Sequence, residues 1–594
     1  MPSNRWLWIS LAGAGLSGFV SFLAFRPAGW WFAAPLALAG LYALVRPVGP
    51  GRGLVLALVF GLAEFLPMLT WAHNAAGLLP YLALSVASAG LFALGAVLYG
   101  CARWLAPGQG RTGAAAGGRR GSGGGRGGGR ARASGGAGSG GGRLSGGALS
   151  GGALSGAGRG SGRRGTASGI RPSDGRTGWR GGPSALDGLL FAAAITAADT
   201  FRQFFPFGGF PWGRLGFTQV GGPMARWAWL GGAPLVGLAA ALAGSFLVVA
   251  LAAVWRRRWR TAAVGAGGLA FALVAPLALP ISAGAEGGTI AVGAVQGDVE
   301  VTSEGLFARQ REVLENHVAV SLVLAQEVGP GALDVVLWPE NSTDIDPRTD
   351  RAAYAAIDQA ATALDAPLLV GAMQYVGRAN RYNQGLLWRG GLGVVDVYSK
   401  RHPAPFAEYV PGRSFFRLFT SKVDLINTDM LAGQTIGLMR FDAPVLGRSV
   451  AMGDIICFEV AYDSIVADVV ADGAEFVVVQ TNNASFGFSE EATQQFAMTR
   501  LRAIEHGRSV VQISTVGVSA AVAPDGSLLT PLTTLFEPAF FTADLPLRTS
   551  VTPATRIGGL VCWALMIGPL GLAVAGLGAR LARGGGRSRR VSGG

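Results

Sequence analysis

The sequence has few of the groups that cross-link a chain or hold a metal. Its three cysteines, Cys101, Cys457 and Cys562, are scattered over 594 residues. They offer no disulfide framework, and no CxxC pair or His/Cys cluster has zinc-ligand spacing. The four histidines, His73, His317, His402 and His506, stand equally far apart, so no metal or other cofactor is expected. Charge is scarce as well, at 14% of residues, whereas half the residues are hydrophobic. The mean hydropathy of +0.39 is high for a soluble protein and points to membrane segments.

The net charge of +14 suggests a nucleic-acid partner until it is located. Residues 105–183 hold thirteen arginines against one acid, Asp174, which puts +12 in this segment and leaves +2 for the rest by difference. The segment reads "GGRRGSGGGRGGGRARASGGAGSGGGR" and then repeats "LSGGALSGGALSGAG". With almost no large apolar residue it cannot offset its ordering entropy by burial, so a disordered cytoplasmic loop is expected. Attraction to anionic lipid headgroups follows from its charge. An Arg/Gly tract can bind RNA, but a solvated loop is the simpler expectation, and no specific nucleic-acid partner is expected.

Apolar runs of membrane-spanning length flank this segment. Four precede it, at about 6–25, 29–46, 53–72 and 80–104; three follow, at about 185–204, 227–254 and 261–283; the last covers about 556–582. The first is not read as a secretory signal, because another apolar run follows at once where a cleavage site and polar mature start would stand. The basic flanks orient eight spans. With the N-terminus and Arg5 in the cytoplasm, the Arg-rich loop, "WRRRWR" (255–260) and "RLARGGGRSRR" (580–590) all fall on the cytoplasmic side. Both termini are then cytoplasmic, and residues 288–550 face outward. Glu64 lies in the third span, where an ionisable group is expensive; it either touches substrate or faces a neighbouring helix.

The outward segment differs in kind. "TIAVGAVQGDV" (289–299), "LDVVLWPEN", "APLLVGAMQ", "EFVVVQTNN" and "SVVQIST" read as strands. "EGLFARQREVLENHVAVSLVLAQEV", "AAYAAIDQAATALD" and "ATQQFAMTRLRAIEHG" read as helices, and the DG pair at 525–526 after "VSAAVAP" suits a hairpin. Alternating strands and helices over roughly 260 residues predict one α/β domain. Three polar groups follow strands: Glu340 in "VVLWPE", Lys400 in "VYSK" and Cys457 in "GDIIC". Strand ends on one sheet edge converge, so the three can meet. A carboxylate can take a thiol's proton, and an ammonium can lower the thiol's pKa and hold an oxyanion. Together they make an acyl-transfer set without histidine. Taken singly, each has an ordinary alternative: a buried structural cysteine, a helix-capping or surface glutamate, a solvated lysine.

In "WPEN", "YSKRHPAPFAEYVP" and "ICFEV" the chain resembles the nitrilase (carbon–nitrogen hydrolase) superfamily. With eight spans added, it resembles the apolipoprotein N-acyltransferase family. That family's pattern is W-P-E, Y-x-K followed eight residues on by Glu, and C-[YF]-E. It maps onto Glu340, onto Lys400 with Glu408, and onto Cys457, Phe458 and Glu459. "GFPWGRLGFTQ" (209–219) and "TNNASFG" (481–487) also resemble family segments. The chain departs from the pattern at Phe458, Ala407 and Ser485, where Tyr, Gly and Trp are frequent; Phe307 is the candidate for an early aromatic position.

The resemblance implies a polytopic membrane domain of eight helices plus an extracytoplasmic nitrilase-like αββα sandwich. Its parts would be helices 1–4 (1–104), the loop (105–183), helices 5–7 (184–284), the catalytic domain (285–550), and an eighth helix with a basic tail (551–594). It implies an enzyme of the bacterial inner membrane that moves a fatty acyl chain from a phospholipid to the α-amino group of a diacylglyceryl-modified apolipoprotein. Glu340 would be general base and Cys457 the nucleophile. Lys400 and the Phe458 N–H would hold the oxyanion, with Glu408 and Glu459 as orienting or second-base residues. "RSFFRLF" (413–419) would place Phe415, Phe416 and Phe419 in an exposed loop that dips into the bilayer or acts as a lid, unless they simply pack in the core. The alternatives are a membrane-tethered amidase acting on a small amide and a non-enzymatic scaffold using the Arg/Gly loop.

Overall fold

Every apolar run carries a helix in the computed structural model, which describes residues 2–105, 182–299, 311–418 and 420–588. Residues 106–181 of the Arg/Gly tract, together with Phe307 and Phe419, lie outside the described residues. The apolar helices are α1 (Pro2–Phe22), α2 (Ala33–Val45), α3 (Pro50–Met68), α4 (Thr70–Ala76), α5 (Leu78–Ala102), α6 (Ala185–Phe201), α7 (Ala228–Trp255) and α8 (Trp259–Val274). Five helical segments among the described residues are long and apolar enough to cross a membrane: 50–68, 78–105, 223–255, 259–278 and 553–582. The second run keeps only the 13 residues of α2 as helix. The third run is interrupted: α3 stops at Met68, one residue beyond Pro67, and α4 begins at Thr70. Helix α7 is broken at Gly231–Gly232, where Gly232 takes φ 74° and a Cβ would stand 2.5 Å from the Glu505 carboxylate.

The α/β domain contains two sheets. Among the described residues the first has strands β1 (Thr289–Gln296), β2 (Val335–Leu337), β3 (Leu368–Val376), β4 (Asn380–Arg389), β5 (Gly393–Ser399) and β6 (Asp429–Met430). The second has β7 (Leu438–Ala443), β8 (Arg448–Ile456), β9 (Phe476–Thr481), β10 (Ser509–Ser514) and β11 (Ala520–Val522); β12 (Ala539–Pro546) returns to pair with β1. The orders are β12-β1-β2-β3-β4-β5, with β6 beside β4, and β11-β10-β9-β8-β7. Each sheet has a parallel centre and antiparallel outer pairings, except that the short β6 lies parallel to β4. Central strands such as β9 (FVVVQT) and β10 (SVVQIS) are buried at every position, as expected of parallel strands covered on both faces.

The sheets face each other across one apolar layer that includes Val292, Leu337, Leu369, Met452, Ile456, Val478 and Ile513. Helices α9 (Glu312–Val328) and α10 (Arg351–Leu364) cover the outer side of the first sheet through Leu314, Leu324, Ile357 and Leu364. Asp350 caps α10 by accepting from the Ala352 and Ala353 N–H groups at 3.0 and 2.9 Å. Helices α12 (Asp463–Ala471) and α13 (Glu491–His506) cover the second sheet, and their core is continuous with that of the apolar helices. The layers therefore run helix–sheet–sheet–helix. The short α11 (Arg413–Phe416) lies in a loop, and α14 (Pro553–Ser588) closes the described chain.

Glu64 is buried within the helical bundle, in electrostatic reach of Asp199 and Arg202. A second charged network lies where α6 and the loop after it meet the α/β domain. Arg214 and Arg502 both pair with Asp463, at 2.9 Å for the Arg214 Nη1 and Arg502 Nη1 contacts, and Arg502 also pairs with Glu505.

Candidate active site

The strand directions bring the three sequence-predicted groups to one place. Strand β5 runs parallel to β2, because β3 is parallel to β2 and two antiparallel pairings separate β3 from β5. Glu340, after β2, and Lys400, after β5, therefore leave the same edge of the first sheet. Cys457 follows β8 in the facing sheet.

Each residue is held by its motif. Trp338 is fully buried against α9, donating to Ser321 Oγ at 2.9 Å, so the chain is anchored before it turns at Pro339. Glu340 then enters the site, 4% exposed. Its Oε1 accepts from Asn383 Nδ2 at 2.6 Å, and its Oε2 accepts from the Asn482 N–H at 2.8 Å. The Lys400 backbone N–H donates to Asn383 O at 2.9 Å, and its Nζ lies 2.7 Å from Glu408 Oε1 and 3.5 Å from Glu340 Oε1. Glu408 is held in turn by the Ala404 N–H at 2.6 Å.

Cys457 begins a short 3-10 turn, Cys457–Ala461, with a left-handed φ of 55°. That is uncommon for a residue with a side chain and is the kind of local strain found at functional sites. The half-buried thiol sits 3.3 Å from Thr481 Oγ1 and 3.8 Å from Gln495 Nε2, within electrostatic reach of Glu340 and Lys400. Thr481 also reaches Asn483 Oδ1 and Gln495 Oε1, at 3.0 and 2.9 Å, so one hydroxyl proton serves several acceptors.

Glu459 faces away from this chemistry. It is fully buried and accepts from Tyr398 OH at 3.0 Å, from the Arg401, His402 and Ile456 N–H groups at 2.6, 3.0 and 2.9 Å. It therefore ties the turn carrying Cys457 to the segment carrying Lys400. The Y-x-K spacing acquires a physical reason: Tyr398 and Lys400, two apart, share a strand face. Phe458 stacks on Phe210 and Trp212 at 5.6 and 6.0 Å, and Trp71 packs against Trp212 and Phe486 at 5.3 and 5.1 Å. Trp212 Nε1 donates to Gln494 Oε1 at 2.8 Å. The 209–219 segment is thus part of the wall beside the site. Phe415 is 58% exposed, and Phe416 meets Phe406 and Phe207, so the loop is an exposed aromatic cluster and not core.

Electrostatics match the geometry. Burial alone would lower the Lys400 ammonium, but Glu408 and Glu340 hold it well above its ordinary range, so it stays charged. Burial raises Glu340, opposed by Lys400 and by its hydrogen-bond donors. Burial and the Glu340 charge push the Cys457 thiol well up, and Lys400 pulls it back. A protonated thiol beside a carboxylate, with an ammonium at hand, suits nucleophilic attack assisted by a base. Among the described residues no cluster of His, Cys, Asp and Glu can hold a metal.

Sequence reasoning missed Asn383, Thr481, Gln495 and Glu491. Glu491 is 2% exposed and acts electrostatically on Cys457. Adjacent polar residues in the buried strand around "YNQG" were the available signal for Asn383; the others lie in segments read only for secondary structure or as part of the Asn-rich stretch.

Residues 292–552 match the carbon-nitrogen hydrolase family model, and residues 17–116 and 175–246 match the apolipoprotein N-acyltransferase N-terminal domain. The apolipoprotein N-acyltransferase of Mycolicibacterium smegmatis is 32% identical over 588 residues, covering 94% of this chain and 83% of that one. That of Azotobacter vinelandii is 31% identical over 402 residues, covering 64% of this chain and 73% of that one. An amidase from Nesterenkonia sp. aligns over 45% of this chain and 93% of its own, with 16% identity and a TM-score of 0.32. Apolar helices, a carbon–nitrogen hydrolase domain and a relative matching nearly end to end agree: the chain belongs to the apolipoprotein N-acyltransferase family, and it is a membrane acyltransferase.

Proposed function

We propose that the chain transfers a fatty acyl group from a phospholipid to the α-amino group of the lipidated N-terminal cysteine of an apolipoprotein, the last step of bacterial lipoprotein maturation. The observation that carries this is the convergence of three buried groups, the Glu340 carboxylate 3.5 Å from the Lys400 ammonium and both in electrostatic reach of the Cys457 thiol. Glu340 is the base for the thiol, Cys457 attacks the ester carbonyl, and Lys400 with the Phe458 N–H steadies the oxyanion. Lysophospholipid leaves as the alcohol and a thioester remains on Cys457. The apolipoprotein amine then attacks, and Glu340 takes a proton from it. Glu408 orients Lys400 through their 2.7 Å contact, and Glu459 braces the two motifs. The exposed aromatic loop around Phe415 is suited to lipid.

The membrane arrangement belongs to the same proposal. Eight spans divide at 1–104, 184–284 and 551–594, around a cytoplasmic loop at 105–183 and an outward catalytic domain at 285–550. Both termini are cytoplasmic, and the membrane is the bacterial inner membrane. The N-terminal-domain match at 17–116 and 175–246 favours this reading over a tethered amidase, which has no use for a lipid-facing bundle. The test supplies labelled phospholipid and a diacylglyceryl lipopeptide with a free or an acetylated α-amine. Label should reach only the free amine. Hydrolysis of a small soluble amide with no transfer to the lipopeptide would overturn the proposal.

A further inference from the structure

Two buried carboxyls act electrostatically on the Cys457 thiol, and only one is provided for as an anion. Glu340 accepts from Asn383 and from the Asn482 N–H and lies 3.5 Å from the Lys400 ammonium. Glu491 has no such support. It is 2% exposed, and its Oε2 has no hydrogen-bond partner among the described residues. It opens helix α13, whose next turn reaches the thiol. Gln495, one turn further along the same helix face, reaches Cys457 Sγ at 3.8 Å. The Glu491 carboxyl acts electrostatically on both Cys457 and Glu340. A buried carboxylate without donor or cation is the costly form, and the neutral acid is not. Burial, and then the Glu340 charge, push Glu491 well above the usual carboxylate range.

We propose that Glu491 is the general acid of the donor half-reaction, holding a proton in the resting enzyme and delivering it to the glycerol oxygen that leaves with the lysophospholipid. This rests on the acyltransferase reading above. In the first half the Cys457 Sγ–C bond forms and the ester C–O bond breaks. The thiol proton passes to Glu340, and the Glu491 proton passes to the departing oxygen. Glu340 is then the acid and Glu491 the anion. The acceptor amine arrives as an ammonium; Glu491 attracts it, takes one proton and is reset. The N–C bond forms and the C–S bond breaks. The Glu340 proton goes to the sulfur, and the second nitrogen proton goes to Glu340 and on to water. One proton is released per turnover, the one the ammonium brought. The two neighbouring carboxyls thus alternate, never needing to be ionised together.

The test compares two donors carrying the same acyl chain: a phospholipid, whose glycerol oxygen needs a proton to leave, and a p-nitrophenyl ester, whose phenolate leaves without one. Glu491→Gln keeps size and neutrality but has no proton to give. Acyl-enzyme formation from phospholipid should fall about 10²-fold or more, while formation from the p-nitrophenyl ester falls far less. Glu491→Asp, which keeps an acid, should recover part of the phospholipid rate. Equal loss with both donors, no loss with either, or an aspartate variant as slow as the glutamine variant would overturn the assignment. Wild-type protein acylated by the p-nitrophenyl ester but never by phospholipid would instead overturn the acyltransferase reading, and this assignment with it.

Discussion

Cys457 leaves β8 with a left-handed φ and meets Glu340 from the facing sheet. Because burial and that carboxylate push its pKa up, thiolate is scarce at neutral pH and grows only as pH rises. Iodoacetamide should therefore label Cys457 slowly at pH 7 and faster at higher pH; fast labelling at pH 6 would contradict this. Cys457→Ser should abolish transfer in a folded protein, whereas Cys101→Ala and Cys562→Ala should remain active. The two other carboxylates separate by their contacts. Glu340 acts electrostatically on the thiol and is its proposed base, so Glu340→Gln should lower thioester formation by about 10²-fold or more. Glu408 touches Lys400, so Glu408→Gln should slow turnover yet still accumulate acyl-enzyme. Mass spectrometry after incubation with phospholipid alone distinguishes them, and normal acylation in Glu340→Gln with none in Glu408→Gln would exchange the roles. Glu340, Lys400 and Cys457 were legible because each stands in a short motif after a β-branched run. Asn383 and Glu491 were not, since their meaning depends on which strand and helix come to lie beside Cys457. Lys400 carried one further signal: it is one of only two lysines in the chain, with Lys422.

At the scale of elements, the apolar stretches that became β1, β3, β9 and β10 could be read directly, because strands buried on both faces are continuous apolar runs. Strands β7 and β12 were not read, since one-sided burial leaves them a mixed pattern, with exposed positions alternating along them. The helix break at Gly231–Gly232 was likewise hidden inside an apolar run. One element contact is a sharp test of how the site is built. Gly371 in β3 lies under the Glu340 turn, where a Cβ would stand 2.1 Å from Pro339 O and 2.8 Å from Glu340 Cα. Backbone on both sides cannot yield cheaply, so Gly371→Ala should displace Glu340. Thioester formation should fall with the thermal midpoint lowered as well; full activity in this variant would show that Glu340 is not positioned by this strand.

For the molecule as a whole, the junction between the apolar helices and the α/β domain is held by charge. Burial alone would raise Asp463, but Arg214 and Arg502 hold it well below the carboxylate range. Asp463→Asn would leave those two arginines, both nearly fully buried, without that charge, at a cost of about 3–5 kcal/mol. That is a large part of an ordinary domain's stability, so a marked fall in Tm is expected. Asp424→Asn, which breaks an exposed pair with Arg417, should change it little. Deleting residues 110–180 should leave transfer largely intact in vitro; loss of activity in a well-expressed deletion would give that segment a role beyond spacing. In the proposed mechanism one thiol serves two lipid-bearing substrates in turn. Mass spectrometry of the protein after incubation with labelled phospholipid alone is the decisive measurement. One acyl group is expected on the peptide containing Cys457, lost when diacylglyceryl lipopeptide is added and recovered on its α-amine. Transfer to the lipopeptide without any adduct on Cys457, or undiminished in Cys457→Ser, would contradict it.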